Sequence, residues 1–456
     1  MLLGTGIDWK LIHRPVSRQF RAILERELPG LGTDERLWTM LEYLLFPWRD
    51  DETRQPLAPA SLITDIGGTR LAITFLREFS AKVVPLTWKD WSYTDGSCRV
   101  ITSIDWPAPV AEAIEAEFSR QWKDAERVYL RTGNKVTRRT VGRERTVLAQ
   151  AAAEYAKTAK EAQKRLLRYL NDQPSNAFSL KVKENIDQAY ELAKKIEDHY
   201  ERQYAFEHLV SIQYQAKPYY RPSLAKRTAR VFSINDSLLT LRSDIRHVLT
   251  KGWIELDLRN AQFAVAAMLW NIDSINDYLR NNGSVWDELI RYFDGRVSKP
   301  LLKLAVYRIV NGGSKRETKF FLDRSTVDGT GDHFFRHPLI VDLWKSSRHA
   351  LQAIKRNRGA NDCFGNWIAY EGDHRNNNAP SIIAQRCQSY ELLVLLPALY
   401  LAERTDEFMI TLWQHDGFSI SVRDSRREEE WIRRIAEAVE AEADRFRIRT
   451  TLERTN

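Results

Sequence analysis

The chain has 456 residues, of which 43% are hydrophobic, and it contains 14 Trp, 17 Tyr and 18 Phe. This apolar content excludes a largely disordered chain and allows two or more folded domains. The formal net charge of +8 is compatible with a polyanionic partner such as nucleic acid, although charge alone does not specify one.

The cysteines Cys98, Cys363 and Cys387 lie far apart and form no C-x-x-C pair. We therefore expect neither a disulfide framework nor a zinc ribbon, and a reducing cytoplasm is the simplest compartment. Residues 1–14 carry charge too early for a signal peptide. The longest apolar run, Leu392 to Leu401, contains Pro397 and is too short for a membrane span, so no membrane contact is predicted.

Residues 1–130 are predicted to form an N-terminal α/β accessory domain. Helices are expected at Arg18–Glu27 and Asp34–Leu45, and strands at Arg70–Phe75 and Ala81–Leu86. No motif in this segment indicates a role; contact with a replication partner is one hypothesis.

A basic segment, residues 131–145, follows, in which Glu144 is the single opposing acid. Gly133 and Gly142 favour a loop or ribbon, so we predict a basic linker. A solvated linker and a strip that contacts a phosphate backbone are both compatible with this composition, and in the second case each contact would release counterions. The basic residues are Arg131, Lys135, Arg138, Arg139, Arg143 and Arg145.

Two Ala-, Lys- and Glu-rich segments, Thr146–Leu170 and Val182–Tyr204, carry apolar residues at helical spacing. An antiparallel helical hairpin is the natural interpretation, and a coiled-coil arm is the alternative.

Two acids lie where strands are predicted to end. Asp257 follows the extended segment Trp253–Leu256, and Asp416 lies between two apolar strands in His415-Asp416-Gly417. A helix N-cap for Asp257 and a plain hairpin turn at Asp416 are the structural alternatives. Two such carboxylates, if they converge, can hold two Mg²⁺ ions roughly 3.5–4 Å apart. Mn²⁺ is expected to substitute for Mg²⁺.

A predicted helix over residues 299–313 carries polar residues four positions apart, which places them on one face. Pro300 suits the first turn and Gly312 or Gly313 the end. Lysines beside the N-terminus of a helix form a phosphate site, whereas an isolated helix of this pattern would simply have a solvated face. The polar residues are Lys299, Lys303, Tyr307 and Asn311.

In this order and spacing, the strand at Asp257, the basic helix and the hairpin at Asp416 resemble motifs A, B and C of the family A DNA polymerases, the bacterial DNA polymerase I type. The resemblance covers residues 145–456 and implies a right-hand α/β (α+β) polymerase fold. The implied domains are a helical thumb at 146–210, a palm at 211–270 and 361–456, and fingers at 271–360.

The resemblance also implies roles for single residues. Asp257, Leu258 and Asp416 would form the metal site, and Lys299, Lys303, Tyr307 and Asn311 would bind the nucleotide. Gln262 stands where the family has a Glu that closes the pocket beneath the sugar 2′ position. Residues expected to contact nucleic acid are Arg230, Gln388 and His415, together with Arg138 and Arg139 of the basic segment.

This chain departs from the family pattern at several positions. Gln262 lacks the family's charge, Asn311 replaces a Tyr, and Trp286 stands where a phosphate-contacting His is common. The N-terminal acids Asp50 to Glu52 lie between prolines and do not resemble an exonuclease strand, so we predict no 3′–5′ exonuclease. The small size and the expected lack of an exonuclease suggest an enzyme of a phage, plasmid or mobile element.

The sequence therefore predicts a DNA polymerase that adds dNTPs to the primer 3′-hydroxyl of a primer-template. Two alternatives remain. One is a single-subunit RNA polymerase or primase-like enzyme that uses NTPs. The other is a degenerate polymerase fold that only binds nucleic acid.

Overall fold

The computed structural model describes residues 11, 13–46, 48–49, 56–68, 72–91, 98–119, 126–223, 228–373 and 377–456. In chain order, its strands are β1 (Pro15–Ser17), β2 (Trp48–Arg49), β3 (Pro56–Pro59), β4 (Leu86–Trp91), β5 (Cys98–Ile104), β6 (Arg127–Tyr129), β7 (Tyr220–Pro222), β8 (Val231–Ser233), β9 (Ile254–Leu258), β10 (Gly359–Asn361), β11 (Trp367–Ala369), β12 (Phe408–Trp413), β13 (Gly417–Val422) and β14 (Leu452–Arg454).

The α-helices exceed the strands in length, so the fold is a helix-rich α/β arrangement with small sheets. They are α1 (Arg18–Glu27), α2 (Glu35–Leu45), α3 (Ala60–Gly67), α4 (Ala72–Lys82), α5 (Ala108–Ser119), α6 (Arg138–Lys157), α7 (Glu161–Asp172), α8 (Ser175–Lys194), α9 (His199–Tyr214), α10 (Ser243–Leu249), α11 (Ala261–Leu269), α12 (Asp273–Asn282), α13 (Val285–Tyr292), α14 (Lys299–Val310), α15 (Lys315–Ser325), α16 (Thr330–Phe334), α17 (Pro338–Asn357), α18 (Ala379–Ala402) and α19 (Glu428–Arg445).

The first of two compact units consists of Met1–Ala152, Pro174–Tyr219 and Ser233–Lys251. In its described residues, β2, β3, β5 and β4 form an antiparallel sheet in that order, and β1 pairs with β6. Helices α1, α2 and α4 supply buried apolar residues such as Phe20, Leu41 and Phe79 to the core. Helix α8 packs against α9 and α10 in the same unit.

The second unit consists of Ala153–Gln173, Tyr220–Phe232 and Gly252–Asn456. Its main sheet has the order β12-β13-β9-β14, and every neighbouring pair is antiparallel. Helix α18 packs against α11, α17 and α19, and α14 packs against α11, α13 and α17. These units do not coincide with the predicted domain boundaries, and the thumb, palm and fingers remain predictions.

Several predicted elements differ in the structure. Helix α4 occupies residues that the two predicted strands, Arg70–Phe75 and Ala81–Leu86, were expected to include in part. Its residues Ala72, Phe75, Leu76 and Phe79 share one buried face. The predicted helical hairpin consists of the four helices α6 to α9, because the chain leaves helical geometry near Thr158 and near Ile196. Asp50 to Glu52 lie outside the described residues.

The predicted basic linker is also wrong in part, since Arg138 to Arg145 belong to helix α6. Arg131 is buried in an ion pair with Glu42, which removes it from any surface strip. No helix in the described ranges combines the length and the apolar character that a membrane crossing requires.

Candidate active site

The main sheet of the second unit brings the two predicted carboxylates together. In β9, Ile254, Leu256 and Leu258 are buried and alternate with the half-buried acids Glu255 and Asp257. Strand β13 pairs with β9 so that Gly417 lies opposite Asp257, and Asp416 precedes Gly417. The backbone N–H of Leu258 donates to the carbonyl of Asp416 over 2.9 Å. Because neighbouring strands lie about 4.8 Å apart, both carboxylates belong to one site.

Gly417 permits the close approach of these two strands. A Cβ atom at this position would lie 2.8 Å from Oδ1 of Asp257 and would overlap the carbonyl oxygen of Leu256. The predicted hairpin is present, with β12 and β13 joined by residues 414–416. The glycine thus allows the Asp257 carboxylate to lie directly over the β13 backbone.

The negative charges around Asp257 are balanced only in part by the nearby Lys303. Desolvation, the charge of Asp416 and the charge of Glu255 raise the pKa of Asp257 to about 8, while Lys303 acts in the opposite direction. Like charges held this close favour a bound cation. The arrangement can therefore concentrate a divalent metal ion between Asp257 and Asp416.

The donor set fits Mg²⁺. Within the described residues, no three His, Cys, Asp or Glu side chains are grouped to hold a metal ion. A cation at this position would meet the two carboxylates of Asp257 and Asp416. Mg²⁺ prefers hard oxygen ligands and usually keeps water and phosphate oxygens in its shell, so it requires few protein ligands. Leu258 has an apolar side chain, and its role as a ligand stays a prediction.

Helix α14 presents Lys303 and Tyr307 to the carboxylates. Its buried face consists of Leu302, Ala305, Val306, Ile309 and Val310. Desolvation and the charges of Asp416, Glu391 and Asp257 raise the pKa of the Tyr307 hydroxyl. Since Lys303 lowers the pKa of Asp257, both α14 side chains act within the electrostatic field of the site.

Trp286 of α13 supports these two side chains. The Nζ atom of Lys303 lies 5.6 Å from the centre of the indole, and the Tyr307 ring meets the indole edge-on at 6.1 Å. Trp286 itself is buried. It therefore orients Lys303 and Tyr307, a role that its position in the sequence did not indicate.

The other two residues predicted on this helix are placed differently. Lys299 is exposed in the first turn, and Asn311 is the residue that ends α14. In the described part of the chain, no hydrogen bond or ion pair joins either residue to Asp257 or Asp416. Their contact with a nucleotide remains a prediction.

Arg230 and Gln388 belong to a second polar group beside the carboxylates. The Arg230 Nη2 atom lies 2.8 Å from Oε2 of Glu391, a carboxylate with 0% exposure. The Thr228 hydroxyl donates to Oε1 of Gln388, and the backbone N–H of Arg230 donates to Thr228 over 3.2 Å. These contacts join the segment before β8 to helix α18.

Glu391 belongs to this polar group, and the sequence analysis assigned it no role. Burial raises the pKa of the Glu391 carboxyl, and the charge of Asp416 acts in the same direction, while the ion pair with Arg230 acts in the opposite direction. The residue therefore lies close to Arg230 and Asp416. An acid between the apolar residues of α18 was the available signal, since isolated carboxylates are rarely buried.

His415 lies next to Asp416, and its ring meets Phe232 edge-on at 5.4 Å. Desolvation and the nearby Arg230 lower the pKa of His415, so the imidazole is neutral at pH 7 although the residue keeps contact with solvent.

Arg138 and Arg139 are exposed in the first turn of α6, in the first unit. The role of Arg138 and Arg139 in nucleic-acid binding remains a prediction.

No family model matches the chain, and no curated protein matches it significantly. Among solved structures, the chain is similar to the polymerase domain of Pol1 from M. smegmatis, solved in complex with DNA primer-template and dNTP. The two are 12% identical, with a TM-score of 0.42, and the match covers 92% of this chain and 80% of the other. A likeness of this degree identifies neither a shared fold nor a shared activity.

Proposed function

We propose that the protein is a template-directed DNA polymerase that transfers nucleotides from dNTPs to a primer 3′-hydroxyl. The observation that carries the proposal is the pairing of Gly417 with Asp257, which brings Asp257 and Asp416 together. Lys303 and Tyr307 on α14 act on the same carboxylates. Carboxylates beside a lysine-bearing helix match the requirements of metal-assisted phosphoryl transfer.

In the proposed mechanism, Asp257 and Asp416 would hold two divalent cations. Bound cations of this kind lower the pKa of an attacking hydroxyl and stabilise the charge of the leaving pyrophosphate. Lys303 neutralises the triphosphate, assisted by Lys299 one turn earlier. Tyr307 would stack against the base or the sugar of the nucleotide and so orient it. The protein supplies positioning and electrostatic stabilisation, so no side-chain nucleophile is required.

Gln262 and Asn311 are proposed to shape the nucleotide pocket. Gln262 would close the pocket beneath the sugar, as the resemblance to family A polymerases implies. Asn311, at the C-terminal end of α14, would lie under the templating base pair. Arg230, Gln388 and His415 would contact the primer-template close to the reacting end.

The surface of α17 supports a nucleic-acid partner. Four cations at its exposed face or C-terminal end have no ion-pair partner among the described residues: Lys345, Arg348, Arg356 and Arg358. Cations that lack acid partners are available to phosphates, and each phosphate contact adds counterion release to the binding free energy. By contrast, α19 carries acids that pair with its arginines, as Glu437 does with Arg433.

Primer extension tests the proposal. The protein is incubated with Mg²⁺ and a primed template, either with dNTPs or with NTPs, and parallel reactions omit the primer. Primer-dependent extension with dNTPs supports the DNA polymerase, and extension with NTPs supports the RNA-making alternative. DNA binding without extension in any reaction would support the binding-only alternative and would contradict the proposed function.

A further inference from the structure

The short hairpin β10–β11, in the second unit, carries an exposed tryptophan. Because side chains alternate along a strand and Asn361 pairs with Trp367, one face of the hairpin consists of Gly359, Asn361, Trp367 and Ala369. Ile368, on the opposite face, is buried, whereas Trp367 is 56% exposed. A single exposed apolar residue does not identify a site, so the contacts around Trp367 decide its role.

The indole of Trp367 is held in place by its own hairpin. A Cβ atom at Gly359 would lie 2.6 Å from Cζ2 of the indole, so the ring lies against backbone that a side chain would obstruct. Asp362 fixes the turn, since its Oδ1 atom accepts from the backbone N–H groups of Phe364 and Asn366 over 3.0 and 2.8 Å. The ring is therefore supported on one side, and a ligand that stacks on it has little side-chain ordering to offset.

Two arginines flank this ring. The Nε atom of Arg386 donates to the carbonyl of Asn361 over 3.0 Å, which places the guanidinium beside the residue that pairs with Trp367. Arg358 is exposed and directly precedes β10. Neither arginine forms an ion pair within the part of the chain that the structure describes. Both guanidinium groups are thus available to an anionic partner.

The acids of the same segment already have partners. Asp362 pairs with Lys160 at 3.1 Å, and Asp373 pairs with Lys355 at 2.7 Å. Glu371 accepts a hydrogen bond from a side-chain amide over 3.2 Å. The two arginines therefore keep their positive charge beside an open aromatic ring, and this combination matches a partner that carries both phosphates and flat bases.

We propose that the Trp367 hairpin binds an unpaired nucleic-acid strand, at a site that includes neither Asp257 nor Asp416. One base stacks on the open side of the indole, and the adjoining phosphates contact Arg358 and Arg386. Bases within a duplex present only their edges, so an aromatic platform flanked by cations selects a single strand. This site goes beyond the proposed polymerase reaction and does not depend on it.

Fluorescence anisotropy of labelled oligonucleotides tests the site on the full-length protein. The probes are oligo(dT), oligo(rU) and a blunt DNA duplex of equal length. We expect Trp367→Ala to weaken single-strand binding about tenfold, the effect of losing one stacked base, and to change duplex binding by less than about twofold. Trp367→Phe keeps a ring and should retain most of the affinity. A tenfold effect on either single strand supports the site, and the larger effect identifies DNA or RNA as its ligand.

Two further variants complete the test. Leu180→Ala is the matched control, because Leu180 is an apolar residue of α8 with 59% exposure and offers no aromatic ring. Arg386→Gln should reduce the slope of log K against log salt by about 0.7 for a single strand, whereas Trp367→Ala should leave that slope unchanged. The arginine variant keeps the inference testable even if Trp367→Ala fails to fold.

Three results would overturn the inference: a wild-type protein that binds no single strand, unchanged single-strand affinity in Trp367→Ala, or an equal loss of affinity for single strands and duplex. The second result would leave the indole to a protein partner. A protein that binds single strands through Trp367 but extends no primer would contradict the proposed function alone.

Discussion

Asp257 faces Gly417 across the β9–β13 pair, and its Oδ1 atom lies 2.8 Å from the position that a Cβ atom of residue 417 would occupy. Gly417→Ala should therefore displace the Asp257 carboxylate or separate the strands. We expect a large loss of primer extension with a smaller loss of thermal stability, measured on the same preparation. Gly142→Ala in α6, where a Cβ meets no described atom within 4 Å, is the control and should be neutral or stabilising by up to about 1 kcal/mol.

Asp416→Ala should abolish extension, because it removes half of the proposed metal-binding pair. Loss of a metal contribution of several kcal/mol corresponds to a fall in rate of roughly a thousandfold or more. DNA affinity, measured by fluorescence anisotropy, should stay nearly unchanged. Asp406→Ala removes an exposed acid that pairs with Arg423 and should leave extension intact; unchanged extension by Asp416→Ala would contradict the metal assignment.

The stability of the metal-free protein should depend on pH through Asp257. Its pKa of about 8 in the folded protein lies above the ordinary value of an aspartate, so folding favours the protonated form. The contribution of Asp257 is fully present below about pH 4 and is lost as the pH rises through 8. In Asp257→Asn, the free energy of unfolding measured by urea denaturation should fall less over this range than in the wild-type protein.

Gln262→Ala should increase ribonucleotide incorporation, because it opens the pocket proposed to lie beneath the sugar. The measurement is the ratio of dNTP to NTP insertion on one primed template. A neighbouring polar control is Asn276→Ala, on α12 in the same unit. A ratio that does not move in Gln262→Ala would show that this side chain does not select the sugar.

Arg348→Ser and Arg356→Ser should weaken DNA binding without changing the reaction rate on saturating DNA. If each arginine contacts a phosphate, its loss should reduce the slope of log K against log salt by about 1. Arg433→Ser on α19 is the matched control, because Glu437 already pairs with that guanidinium. Equal salt slopes in all three variants would place the DNA elsewhere.

The elements around the carboxylates were the ones that sequence patterns could predict. Strand β13 alternates apolar and serine residues, and α14 has a proline in its first turn and a glycine after its end. Such local signals are strong enough here to predict an element without knowledge of its surroundings. The hairpin at Asp416 and the helix with Lys303 and Tyr307 accordingly lie where they were predicted.

Long-range contacts account for the places where the structure differs from the predictions made from the sequence. Residues 72–75 contain Ile73, Thr74 and Phe75, which favour a strand locally, yet packing of Phe75 and Phe79 into the first core favours a helix. The ion pair of Arg131 with Glu42 joins residues far apart in the chain. The ion pair of Glu391 with Arg230 also depends on tertiary structure, and no spacing rule relates those positions.

Strand β9 is an interior strand, with β13 on one side and β14 on the other. Leu258 pairs with Leu452 in β14, just as Asp257 pairs with Gly417 in β13. A slip of one residue would turn Asp257 to the opposite face of the sheet, and it would have to break both ladders at once. In β14, Glu453 lies opposite Asp257. This edge strand therefore fixes the register of β9, and substitutions in it that weaken the pairing should reduce the reaction although they lie outside the carboxylate pair.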